Sequence, residues 1–262
     1  MERQFLRISR FIGEDNVELL HGKKVALVGL GAVGGYCLEA LVRSGVGRFT
    51  LVDFDTVSET NLNRQILALH STLDRPKSTV AVERALDINP KLEVKEMNVF
   101  ADSSNHAEIF EGADLVVDCI DSLNPKLSLL EDAYKVGIPV ISSMGAALRR
   151  DPSLIRIADV FDTWGCPLAR QVRSGLRRRG VGKGIDCVFS PEKVEFEYRD
   201  PESDEEVEFN EVILDRGRKR VVLGSLPTVT AIFGEMMAHL ALTKLLPEDS
   251  LLGKAEWNPK TK

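Results

Sequence analysis

The sequence has no cysteine pair of the C-x-x-C kind. Its four cysteines, Cys37, Cys119, Cys166 and Cys187, stand far apart. That argues against a structural zinc and suits a reducing compartment, read here as the cytoplasm. No histidine set is present either. His21, His70, His106 and His239 are isolated, without the H-x-x-H or H-E-x-x-H spacing of a metal enzyme. Excess positive charge is absent: 34 Lys and Arg face 40 Asp and Glu, for a net of −6. Any contact with nucleic acid would therefore have to be local. A long apolar run is also missing. The best stretch, 221–246, is broken by Pro227, Glu235, His239 and Lys244, whereas a membrane-spanning helix needs about 20 mostly apolar residues. It reads as a core or dimer-contact helix, without stable membrane insertion. The opening Met-Glu-Arg-Gln-Phe holds no stretch of signal-peptide type.

What is there is a chain of 262 residues, 44% hydrophobic, long enough for one sizeable core. An apolar strand over 24–28 runs into Gly29, Gly31 and Gly34, and a helical pattern follows over 33–44. This is G-x-G-x-x-G in a strand–turn–helix context. The glycines allow a tight turn and a close approach of backbone N–H groups to phosphate, and the helix N-terminus favours the negative charge. Further strands are expected over 49–53, 92–98, 113–120 and 139–143, with helices over 76–86 and 127–136 between them. Such alternation implies α/β architecture: a Rossmann-like doubly wound sheet, parallel in its N-terminal half. Ligands bind these sheets at the carboxyl ends of the strands.

After residue 143 the pattern changes. Residues 149–183 hold nine basic and three acidic side chains, locally +6. Residues 192–211 are strongly acidic and partly alternating, as an exposed hairpin with its tip near 200–203 would be. The expected organisation is one domain, 1–262. Its nucleotide-binding core would be 1–145. Residues 146–262 would form a C-terminal extension with the basic segment, the acidic hairpin and a C-terminal helix.

Asp53 lies nineteen positions after Gly34, where NAD enzymes place a ribose-binding carboxylate. With the glycines alone, a dehydrogenase would be favoured. The stretch that follows, Asp53 to Gln65 and then Arg75-Pro76-Lys77, has no use in that reading. A triphosphate has one for it: Arg64 and Lys77 can neutralise phosphate oxygens, Asn61 and Gln65 can add neutral donors, and Asp121 can hold magnesium against the phosphates. Asp55 reads either as a second ribose or metal group or as a loop cap.

These residues resemble the ubiquitin-activating-like (ThiF/MoeB-type) adenylyltransferase superfamily. The Gly-rich loop, Asp53, Asn61-x-x-Arg64-Gln65, Lys77 and Asp121 occur in the order that superfamily uses. The resemblance implies ATP and magnesium as cofactors and a homodimer in which Arg10 reaches the partner's ATP site in trans. It implies ATP contacts from Gly29, Gly31, Ala32, Val33, Gly34, Asp53, Asp55, Asn61, Arg64, Gln65, Lys77, Asp121 and Ser122. Arg64, Lys77, Asp121 and Arg10 would be catalytic, with Asp121 reaching the metal through the phosphates. Ala32 stands where many members have Gly. Within the superfamily the chain looks like the tRNA threonylcarbamoyladenosine dehydratase branch. The matching segments are Gly13-Glu14, Asp121-Ser122, Lys126, Asp151-Pro152, Asp159, 167–169, 184–190 and 224–227. That branch implies adenylation of the threonyl carboxylate on a tRNA adenosine beside the anticodon, then intramolecular ring closure with release of AMP. Ring closure requires positioning and no nucleophilic side chain. A sulfur-relay protein is a further partner that the resemblance allows.

Other readings stay beside this one. An activator of a small sulfur-carrier protein would share the whole ATP site, and a non-catalytic protein could keep a relic pocket. Arg170, Arg173, Arg177, Arg178 and Arg179 read as tRNA-phosphate contacts or as the solvated face of a helix. Cys166 and Cys187 read as incidental thiols or as sulfur carriers. Lys126 faces the ATP site or lies on a helix surface, and Trp164 stacks a base or packs.

Overall fold

The computed structural model describes residues 2–194 and 223–250. Nearly all of the acidic hairpin expected over 192–211 lies outside the described residues. Two N-terminal helices, α1 (Leu6–Ile12) and α2 (Glu14–Gly22), lead into β1 (Lys24–Val28). There follow α3 (Gly34–Arg43), β2 (Arg48–Val52), α4 (Lys77–Ile88), β3 (Glu93–Met97), α5 (His106–Phe110), β4 (Leu115–Asp118), α6 (Leu123–Val136) and β5 (Val140–Ser143). The second half adds β6 (Arg156–Asp159), α7 (Pro167–Arg178), β7 (Asp186–Phe189) and α8 (Pro227–Leu245). The strands make one sheet in the order β3-β2-β1-β4-β5-β7-β6. All neighbours are parallel except β6 and β7.

Burial explains the near-continuous apolar strands, since a parallel sheet is covered on both faces. Val25, Leu27, Leu51, Leu115 and Val117 pack with α2, α3, α4 and α8. Their strand neighbours Ala26, Val28, Val52 and Val116 pack with α5, α6 and α7 on the other face. The segment read as a core or dimer-contact helix is the core helix α8, with Val229, Phe233, Met237 and Ala241 fully buried. It lies against α3 at Gly234, where a Cβ would stand 2.5 Å from the Val33 carbonyl oxygen. Among the described residues no helix is long and apolar enough to cross a membrane.

The sheet extends past the half in which parallel pairing was expected. β7 continues it in parallel beside β5, and β6 closes the edge antiparallel to β7. Both strands have only four residues, and β6 is half-buried throughout, so neither carries a long apolar or alternating signature. In register, Val28 is level with Val52 and with Asp118, and Asp118 with Ser142. The carboxyl ends of β1, β2, β4 and β5 therefore form one edge, and the loops carrying the chemistry leave from it.

Candidate active site

The loop after β1 is shaped by contacts that leave no room for side chains. Gly29 has φ +91°, and a Cβ there would lie 2.8 Å from the Cys119 carbonyl oxygen. At Gly34 a Cβ would fall 1.8 Å from the Gly29 carbonyl oxygen. The loop thus closes tightly on itself and on the end of β4 before α3 begins. Gly31 differs: a Cβ there would meet only the Gln65 side-chain nitrogen, at 3.9 Å. The protein leaves space at Gly31, flanked by half-buried Ala32 and Val33, as a cradle for a ligand requires.

Asp53 follows β2 and is almost wholly covered, at 8% exposure. Its carboxylate accepts the Leu30 N–H at 2.6 Å and the Asp55 N–H at 2.8 Å, tying the glycine loop to the next one. Burial raises its pKa above the ordinary carboxylate value, against the opposing pull of Lys77 and the two backbone donors. Asp55 clasps Lys77 twice. Its carbonyl oxygen accepts the Lys77 N–H at 2.9 Å, and its carboxylate accepts Nζ at 3.0 Å. Lys77 opens α4 and is 6% exposed.

The 61–65 turn is held from within. The buried Asn61 side-chain oxygen accepts the Ser58 N–H at 3.3 Å, so part of this expected neutral donor serves as a cap. Arg64 is half-buried and folds back, donating from Nη1 to the Thr60 carbonyl at 2.7 Å and to the Asn63 side chain at 2.9 Å. Gln65 is buried beside Gly31, and its side-chain oxygen has no partner among the described residues. An unpaired buried acceptor is costly and fits a site whose occupant brings a donor. Asp121 is exposed after β4 and accepts the Ser122 hydroxyl at 3.1 Å. Ser122 stands at the N-cap of α6. Arg10 is exposed on α1.

Lys126 neither reaches a nucleotide pocket nor lies on a surface. It is fully buried and donates to the Asp118 carboxylate at 2.5 Å, the Ser142 hydroxyl at 3.1 Å and the Ser143 carbonyl at 3.0 Å. Asp118, also fully buried, accepts the Ser142 hydroxyl at 2.6 Å and the Ile120 N–H at 3.0 Å. This network ties the first turns of α6 to the ends of β4 and β5, directly beneath the Asp121 loop. Sequence reasoning missed it, though a signal existed. Lys126, Leu129, Leu130 and Ala133 are buried at helical spacing, so the lysine stands on the apolar stripe.

The basic segment divides. Arg173 donates to the Thr163 carbonyl at 2.7 Å and to the Thr163 hydroxyl. Arg179 pairs with Glu131 at 2.6 Å, and Arg177 lies over the Phe161 ring at 5.7 Å. Arg170 and Arg178 are exposed on α7. Trp164 is 52% exposed, with its edge packed against Phe189 at 5.1 Å. Cys166 caps α7, accepting the Ala169 N–H, and Cys187 is buried in β7, where burial pushes its thiol well up. A reactive thiol needs the opposite shift.

The sheet and the glycine loop at its carboxyl edge define the class: a Rossmann-like nucleotide-binding protein of the doubly wound kind. The chain belongs to the ThiF family, whose profile matches residues 1–259. It is 43% identical over 193 residues to the tRNA threonylcarbamoyladenosine dehydratase of Bacillus subtilis, covering 73% of this chain and 76% of that one. The crystal structure of the E. coli tRNA N6-threonylcarbamoyladenosine dehydratase in complex with ATP superposes with a TM-score of 0.80 at 33% identity, covering 93% of each chain. The Escherichia coli molybdopterin-synthase adenylyltransferase is 36% identical over 137 residues, 52% of this chain and 54% of that one.

Proposed function

We propose that this chain is an ATP-dependent enzyme that dehydrates and cyclises threonylcarbamoyladenosine in tRNA, forming an adenylate on the way. The observation that carries the proposal is the match to a dehydratase solved with ATP over 93% of both chains. The likeness to the molybdopterin-synthase adenylyltransferase stops at about half of each chain. Likeness to the dehydratase over nearly the whole chain therefore favours a tRNA substrate over a sulfur-carrier protein.

In this reading the chain acts as a single adenylation domain, with residues 1–145 as the ATP-binding core. A carboxylate oxygen of the threonyl group attacks the α-phosphorus of ATP, the bond to the bridging oxygen breaks, and pyrophosphate leaves. A carbamoyl atom of the same group then attacks the activated carbonyl carbon. AMP departs, a proton is lost and the ring closes. Carboxylate and triphosphate repel, so the first step needs cations where charge develops. Lys77 and Arg64 would supply them in the same subunit, and Arg10 from the second copy of a homodimer. The space at Gly31 and the orphaned Gln65 oxygen fit a nucleotide. Magnesium, when bound, adds positive charge at the phosphates. Asp121 would help to hold it. Ring closure takes place within one bound group and gains from orientation. The basic segment around α7 would hold the tRNA, and the cytoplasm is the location this reading expects.

The test is incubation of the protein with ATP and tRNA carrying threonylcarbamoyladenosine. Mass spectrometry of the nucleosides should show loss of one water, with AMP formed in equal amount. AMP formation that depends on a small carrier protein, and not on tRNA, would favour the sulfur-carrier reading instead.

A further inference from the structure

Between α7 and the start of α6 lies a surface hollow of about 340 Å³, lined by Leu123, Arg170, Gln171, Ser174 and Arg178. Leu123 is the first residue of α6, two positions after Asp121. None of the five lining residues is acidic, in a protein whose net charge is −6. The two arginines are unlike their neighbours. Arg173, Arg177 and Arg179 are occupied by Thr163, Phe161 and Glu131. The Arg170 and Arg178 side chains have no hydrogen-bond or ion-pair partner among the described residues.

The surroundings are rigid. Gly175 brings α7 so close to α6 that a Cβ there would meet the Leu127 side chain at 2.5 Å. The Arg179–Glu131 pair joins the same two helices, and Arg173 holds α7 to the Thr163 turn. Arg170 and Arg178 are eight residues apart, about 12 Å along the helix. They are therefore placed to meet two different phosphates, with Gln171 and Ser174 as neutral donors between them.

We infer that this hollow is a docking site for the RNA phosphodiester backbone, in which Arg170 and Arg178 each neutralise one phosphate next to the Asp121 loop. The inference rests on the proposed tRNA reaction and narrows it. Two of the five arginines over 170–179 bind the substrate, while Arg173 and Arg179 hold the platform.

The test uses the full chain and tRNA carrying threonylcarbamoyladenosine, with binding followed by fluorescence anisotropy from about 50 to 300 mM KCl. Each phosphate contact to single-stranded RNA contributes about 0.7 to the slope of log K against log salt. The double variant Arg170→Ala/Arg178→Ala should flatten the slope by about 1.4 and weaken binding roughly tenfold near 0.15 M salt. Its KM for tRNA should rise while its KM for ATP stays. Its Tm should match the wild type, because neither side chain has an internal partner to lose. Lysines at both positions should keep most of the slope. Arg48→Ala, at the amino end of β2 and so on the opposite sheet edge, serves as control and should leave it unchanged. A wild-type slope in the double variant, or an equal loss in Arg48→Ala, would overturn the inference. Wild-type protein that binds this tRNA but forms no AMP would sink the proposed reaction, and the slope comparison would still decide the phosphate contacts.

Discussion

Replacing Lys126 with methionine should destabilise the protein by about 3 kcal/mol, because it removes one partner of a fully buried ion pair. Lys126 and Asp118 are both 0% exposed. Methionine keeps the volume, so little of the loss comes from a cavity. Asp118 would retain the Ser142 hydroxyl and the Ile120 N–H, which places the expected cost at the lower end of the ~3–5 kcal/mol seen when such pairs are broken. In a chain of this size each kcal/mol shifts Tm by roughly 2–4 °C, so a drop of about 9 °C is expected. Urea denaturation followed by circular dichroism gives the free energy directly. The informative comparison is with Lys126→Met/Asp118→Asn, which removes both charges and leaves an amide whose oxygen can keep the Ile120 N–H while its NH2 donates to the Ser142 hydroxyl oxygen. The double variant should recover more than about 1 kcal/mol relative to Lys126→Met alone. If the single variant costs under about 1 kcal/mol, or the double is no more stable than the single, the two groups are not the coupled buried pair described.

Gly34→Ala should prevent the glycine loop from closing, since its Cβ would fall 1.8 Å from the Gly29 oxygen; poor soluble expression and a lowered Tm are the readouts. Gly31→Ala should fold normally yet bind ATP at least tenfold more weakly by calorimetry, because its methyl enters the open cradle; unchanged affinity would place the nucleotide elsewhere. Glu39 is held below its ordinary pKa: burial works to raise it, but hydrogen bonds from Arg84 and Arg43 outweigh burial. Its contribution to stability is present above the unfolded-state value near 4.5 and is lost as pH falls through the lower folded value. Glu39→Gln should therefore lower stability at pH 7, flatten the acid limb and converge with wild type at the lowest pH, as read by denaturation at stepped pH.

The parts of the fold legible in the sequence were those whose cause is local. A buried parallel strand ending in Gly29, with Gly31 and Gly34 after it, encodes its turn by backbone geometry that nothing distant alters. α8 was legible as a core or dimer-contact helix because Pro227, Glu235, His239 and Lys244 argue against a membrane span. β6 and β7 were not, since β6 is half-buried throughout and β7 is placed by its pairing with β5, more than forty positions before it. The arginines over 170–179 look alike in sequence because the partners Thr163 and Glu131 are supplied by other elements. Lys126 was ambiguous for the same reason: Asp118 and Ser142 come to it from two strands.

The site's cations also differ in how readily they can change partner, which counting charges along the chain does not reveal. Lys77 is buried, but its partner Asp55 is 38% exposed, so a carboxylate displaced by a phosphate can turn to water at little cost. Lys126 is held by a carboxylate with no exposure at all, and displacing it would strand a charge in the interior. Arg173 is fixed by Thr163, which is 6% exposed, and is bound almost as firmly. Arg170 and Arg178 have no described partner to give up. Availability to an incoming anion therefore falls in the order Arg170 and Arg178, then Lys77, then Arg173 and last Lys126. Lys77→Met should accordingly raise the KM for ATP with little change in Tm, the reverse of what Lys126→Met should do. A variant at Lys77 that lost stability instead would mean that its bond to Asp55 is structural, and that the triphosphate finds its counter-charge elsewhere.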